Sequence, residues 1–188
     1  HSAATLLCLG ADVIYMTRQA TLGPIDPTLI TPLNPPISGP IPNQRAGVSV
    51  EAIKGYVQLA KEEFGISSSR DMAQILVALS QQIHPLVLGQ VFRTRYHIRN
   101  LATKLLNTNY NHDYSKREIN RIVDFLCSDS GSHDYTITRE EAERDLGLHA
   151  HAVEAEPGNL DGLVTSLYYD IQKELGLAQR FDINLVRG

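Results

Sequence analysis

Ser2, at the head of an apolar run, carries a hydroxyl suited to acyl-transfer chemistry, and the histidines, lysines and carboxylates that could assist it include Lys54 and the adjacent pair His133 and Asp134. A serine hydroxyl attacks a carbonyl only when a neighbouring base takes its proton. Histidine is matched to proton transfer near neutral pH, and a carboxylate can orient it. Lysine fills the same role only where burial depresses its pKa; otherwise it is a solvated surface residue. Ser2 precedes an apolar run, Ala3 to Ala11, that reads as a short helix buried on every face. Serine is a favoured helix N-cap, which is the plain reading of the position. The position also has chemical consequences. A positive helix terminus favours negative charge developing nearby, and the Ala3 N–H could serve as an oxyanion donor. Neighbours on an extended segment point to opposite faces, so His133 and Asp134 would not both face Ser2.

The elements that must position these groups follow from pattern. Gly10 weakens the end of the first helix, and Val13–Thr17, rich in β-branched and aromatic residues, predicts a strand. Between Gly23 and Gly47 lie seven of the nine prolines, which predicts a long irregular loop of the kind that borders binding clefts. Four helices are then expected: from Ser49 to near Gly65, Asp71 to Ile83, Pro85 to about Leu106, and Ser115 to Leu126. The third should bury a stripe of Leu88, Val91, Ile98, Leu101 and Leu105. Tyr135–Ile137 reads as a short extended piece, and Thr138 with Glu141 as a capping box for a helix stopping at Gly147. "LHAHAV" reads as a strand and Leu160 to Leu175 as a terminal helix. Few strands among many helices, with apolar runs, predict a layered, helix-rich α/β protein.

Two blocks of sequence resemble a known family. "SAATLLCLGADVIYMTRQATLGPIDPTL" and, more than 100 residues later, "SHDYTITREEAERDLGL" are similar to the serine dehydrogenase proteinase family. That family is a branch of the Clp protease/crotonase superfamily related to signal peptide peptidase A. The resemblance runs through Ser2, Ala3, Ala4, Thr5, Ala11 and Asp12, and then through the turn Leu22–Pro27. Alanines stand at positions 3 and 4 where the family commonly has glycine, and the helix after Thr138 is about one residue longer. The resemblance implies a Clp/crotonase-like fold of which residues 1–153 form the C-terminal part, followed by a terminal helix and tail over 154–188. The superfamily's preceding half, with the second oxyanion N–H, is not in this sequence.

The resemblance further implies a serine peptidase-like hydrolase. Ser2 would be the nucleophile, Ala3 an oxyanion donor, and either His133, with Asp134, or Lys54 the base. Gly23, Pro24, Ile25 and Asp26 would border the substrate, although Asp26 could instead orient the turn between its flanking prolines. Expected partners are a peptide or protein substrate and further copies of the chain, as trimers or multiples. The alternative is an oligomeric binding scaffold that has lost catalysis; a third reading keeps the oxyanion fold for acyl-thioester or other carbonyl chemistry.

Composition narrows the remainder. With 188 residues, 43% hydrophobic and 20% charged, the chain can form one good core. A net charge of −4 gives no global field for nucleic acid, so no nucleic-acid partner is expected. Cys8 and Cys127 fit no metal or disulfide framework, and no cofactor is implied. His149 and His151 share one side of a strand without a third ligand in sequence reach, so no metal site is expected. Arg93, Arg95, His97, Arg99 and Lys104 make one long helix basic, and Arg95 falls on its apolar stripe, which calls for a carboxylate partner, possibly on another subunit. Location is expected to be cytoplasmic, or membrane-associated through an upstream segment.

Overall fold

The computed structural model describes residues 2–109, 113–129 and 135–176. Helix α1 (Ser2–Leu9) leads into strand β1 (Ile14–Met16). Strands β2 (Thr28–Leu29) and β3 (Val48–Ser49) bracket the proline-rich segment. Helices α2 (Val50–Glu62), α3 (Ser69–Gln82), α4 (Pro85–Leu106) and α5 (Lys116–Asp124) follow. Strand β4 (Ala150–Ala152) and helix α6 (Leu160–Glu174) come last among the described residues. The fold is helix-rich with two small sheets, compatible with the α/β class. Among the described residues no single helix is long and apolar enough to cross a membrane.

The strand pairing is the α/β signature. β1 pairs in parallel with β4, Ile14 opposite Ala150 and Met16 opposite Ala152. Parallel strands need a long crossover connection, and here it contains β2, β3 and helices α2 to α5. Ile14 and Met16 point into the main core while Tyr15 stays 47% exposed. That core gathers Leu9, Leu22, Ile25, Leu106, Ile122 and Leu126, among others. A smaller cluster of Val48, Val50, Val87 and Val91 lies under α2. Helix α4 joins the two, its first half in the small cluster and its last turns in the large one.

Local chemistry explains the helix boundaries. Ser49 caps α2 by accepting from the Ala52 N–H at 3.1 Å. Pro85 starts α4, where its missing N–H costs nothing. Ser115 and Glu118 form a full capping box on α5, which then runs into a wide π-helical turn over Phe125–Asp129. Gly147, at φ +70°, stops the short helical segment before β4, a left-handed geometry that glycine adopts without strain.

Three expectations change, and a fourth gains detail. Helix α1 is not buried all round: Thr5 and Leu9 are inside, but Leu7 is 78% exposed and Ala3 and Ala4 face out. The buried stripe of α4 is Val87, Val91, Ala102 and Leu106, not the one predicted, and Leu101 is 39% exposed. The stripe turns because the helix serves two separate clusters. The Thr138 box is half formed, since Thr138 Oγ1 accepts from the Glu141 N–H while the Glu141 carboxylate receives the Tyr135 hydroxyl instead. The proline-rich segment is irregular over most of its length, as its prolines predict, but it is pinned at its base. β2 pairs antiparallel with β3, Pro36 bridges Arg45, and Ile37 N–H donates to the Gln44 carbonyl at 3.0 Å. Asn34, 1% exposed, sits at the base of this arm. Its Nδ2 donates to the Leu29 and Ala46 carbonyls at 2.8 and 2.7 Å, and its Oδ1 accepts from Thr31 N–H and Oγ1. Gly47 admits the close β2–β3 approach, since a Cβ there would meet Thr28 Cγ2 at 2.7 Å.

Candidate functional site

Ser2 opens α1 and is half-buried. The first amides of a helix have no partner within it, so the N–H groups following Ser2 are the natural donors at this end. One turn on, Thr5 is 1% exposed and faces the chain that returns after β1. Its hydroxyl donates to the Gly23 carbonyl at 2.9 Å and accepts from the Gly23 N–H at 3.0 Å. Both polar groups of one glycine are thereby fixed against the first turn of α1.

The turn starting at Gly23 is held from two further sides. Leu22 and Ile137 exchange backbone hydrogen bonds at 3.0 and 2.9 Å, and the Ile25 N–H donates to the Leu126 carbonyl at 2.9 Å. Gly23, Pro24, Ile25 and Asp26 are all buried, so they wall the turn rather than present side chains to solvent. Asp26 lies near the buried Cys127, where a second carboxylate and two arginines converge. Burial pushes the Cys127 thiol up to about 11; Arg99 and Arg95 pull it down, while Asp26 and Asp124 push it further up. Arg99 pairs with Asp124. Arg95, Arg99, Asp26 and Asp124 thus all act on this one buried thiol.

Lys54 belongs to the other cluster. It sits on α2, whose neighbour Ile53 packs on the small valine group, and its Nζ lies 3.7 Å from Glu51 Oε1 with the side chain 42% exposed. The main packing of α2 is on β3 and α4, and that of α1 is on α4. His133 and Asp134 lie outside the described residues. Their described neighbour Ile137 pairs with Leu22, so the Tyr135–Thr138 segment borders the Gly23 turn.

His149 and His151 do come together, ring centres 6.2 Å apart, with Tyr15 edge-on to His151 at 6.1 Å. Among the described residues no three His, Cys, Asp or Glu side chains converge in a way that could hold a metal.

One polar cluster escapes sequence reasoning. At the end of β1, Arg139 Nη1 donates to the Met16 carbonyl at 3.0 Å and pairs with Glu154 Oε2 at 2.8 Å. Arg18 lies 3.7 Å from the other oxygen of Glu154. The carboxyl of Glu154 is held below its ordinary range, first by its own backbone N–H and then by Arg139. Arg18, Thr138, Arg139 and Glu140 line a shallow cleft of about 490 Å³ here. Positions 18, 139 and 154 carry no mutual spacing signal; only the parallel β1–β4 pairing brings them together.

Known proteins add little to this geometry. No family model matches the chain, and no solved structure matches it. An uncharacterized protein of Methanocaldococcus jannaschii is 31% identical over 147 residues, which are 78% of this chain and 39% of that protein. The chain thus spans well under half the length of this relative.

Proposed function

We propose that this chain carries the nucleophile of a serine hydrolase of peptidase type, built on a Clp/crotonase-like fold. Ser2 Oγ attacks the substrate carbonyl carbon while the base takes its proton. The Ala3 N–H stabilises the oxyanion together with a donor from elsewhere in the protein. The proton passes to the leaving amine, the C–N bond breaks, and water then hydrolyses the acyl-enzyme. His133 or Lys54 is the base, and the turn from Gly23 to Asp26 borders the substrate.

One observation carries the reading. The paired hydrogen bonds of Thr5 with Gly23 clamp the Leu22–Pro27 turn against the helix that Ser2 opens. A clamp between these two segments is what a nucleophile and its substrate wall require, since rate depends on sub-ångström placement. The inactive-scaffold reading draws on a different observation: Lys54 is part-exposed and engaged with Glu51, in the smaller cluster.

Labelling the full-length protein with a fluorophosphonate separates these readings and assigns the base. A hydrolase is expected to label at a rate that Ser2→Ala abolishes, and replacing the true base by alanine should slow labelling roughly 10²–10⁴-fold. If His133→Ala and Lys54→Ala both label at the parent rate, neither is the base. If the folded parent protein does not label, the scaffold reading stands.

A further inference from the structure

Helices α3 and α4 form an acid-free stretch of an acidic chain. Residues 72–92, from the first turn of α3 into α4, contain no Asp, Glu, Lys or Arg. Residues 72–112 contain no acid at all, although the chain carries 21 acidic residues and a net charge of −4. The cations of this stretch all belong to α4: Arg93, Arg95, Arg99 and Lys104. Arg95 and Arg99 are half-buried and act on Cys127, whereas Arg93 and Lys104 are exposed.

The outward side of α4 is both apolar and basic. Leu86, Phe92 and Tyr96 are 68, 69 and 65% exposed. At about 100° per residue, Leu86, Arg93, His97 and Lys104 fall on one line along the helix, with Tyr96 about 80° and Phe92 about 120° to one side of it. Val87, Val91, Ala102 and Leu106 take the opposite side, into the two clusters. α3, which meets α4 at a bend of 102°, buries no residue and has no acid past Asp71.

These features select a partner. Large apolar side chains gain from leaving water, which the phosphates of a nucleic acid do not offer them. The cations beside them favour negative charge. A lipid surface with anionic headgroups supplies both: an amphipathic helix lying in the interface buries its apolar side chains about 5–10 Å deep while its cations stay at the headgroups. α6 makes the contrast. Its Leu163 and Leu167 are as exposed, at 63 and 59%, but it carries Asp161, Asp170 and Glu174 against Lys173, a balance that anionic lipid repels.

We propose that the exposed face of α4 docks on an anionic lipid surface, lying in the interface and not spanning it. The contact is made by this helix itself and needs no upstream anchor. It uses no residue of the hydrolase proposal.

The chain contains no tryptophan, so on the full chain Phe92→Trp gives a single reporter on this face. With phosphatidylglycerol vesicles its emission should shift to the blue, and brominated acyl chains should quench it; phosphatidylcholine vesicles should do neither. Tyr168→Trp, on α6, should stay unquenched in the same vesicles. Added to the Phe92→Trp protein, Arg93→Gln/Lys104→Gln should weaken binding about 25-fold, at about fivefold per cation. Leu86→Ser/Tyr96→Ser should weaken it at least about 100-fold. All four positions are exposed, so circular dichroism and the unfolding midpoint should match the parent's. An emission that phosphatidylglycerol leaves unshifted, equal binding to phosphatidylcholine, or quenching of Tyr168→Trp as strong as that of Phe92→Trp would each overturn the proposal. So would binding that survives Leu86→Ser/Tyr96→Ser, which would mark the face as a purely electrostatic site for a nucleic acid or an acidic protein.

Discussion

Thr5 and Asn34 are equally withdrawn from solvent, each 1% exposed, yet they hold different kinds of structure. Thr5 joins segments 18 residues apart inside the main core, where Leu9, Leu22 and Ile25 already supply apolar cohesion. Asn34 ties segments 3 to 12 residues apart at the base of an arm whose residues 36 to 44 are all exposed. Over a core, the hydrogen bonds fix geometry. Where there is no core, they supply the cohesion as well, and in the arm one side chain makes four of them.

Asn34→Ala should have the largest effect. It removes all four side-chain hydrogen bonds and leaves two half-buried carbonyls without these donors, at a cost of about 3 kcal/mol. The loss should be local: amide exchange should quicken over residues 28–48 while α5 and β4 keep their protection. Uniform loss of protection would show that the arm is no separate unit.

Behind the Thr5-clamped turn, Cys127 gives a pH-dependent contrast. Its folded thiol keeps its proton up to about 11, whereas the unfolded thiol releases it near 9. Between those values the folded state binds more protons, so stability falls as pH rises, by about 2–3 kcal/mol in all. Denaturant unfolding of the parent and Cys127→Ala at pH 8 and pH 11 should differ by that slope. Parallel curves would mean that the thiol is not shielded.

Thr5→Val keeps the side-chain shape and removes both bonds to Gly23, stranding a buried N–H at a cost of about 2 kcal/mol. If the clamp positions the site, fluorophosphonate labelling should slow even well below the unfolding midpoint. Smallest is Ser115→Ala, which breaks the capping box of α5 and should cost about 1 kcal/mol without changing labelling.

The same contrast explains what could be read from sequence. Caps and breakers act within a few residues, so Ser49, Pro85, Ser115 and Gly147 located their helix ends from local chemistry alone. The strands at Ile14–Met16 and Ala150–Ala152 were visible as β-prone runs, and their parallel pairing fits the layered α/β expectation. The arm was not visible. Its proline content argued against regular structure, and the bonds that order it run from one asparagine to backbone atoms whose positions no periodicity reports. The face of α4 was misread because it packs on two clusters, where a pattern argument assumes one. For the site, sequence singled out Ser2 and the turn from Gly23; the Thr5 bonds that join them emerged only in three dimensions.

The central claim is that Ser2 is a nucleophile, and the most direct measurement is the location of a covalent adduct. After fluorophosphonate treatment of the folded full-length protein, peptide mass spectrometry should place one phosphonyl group on Ser2 and none on other serines, with the adduct gone in Ser2→Ala. An unmodified Ser2, or an adduct that persists in Ser2→Ala, would contradict the account.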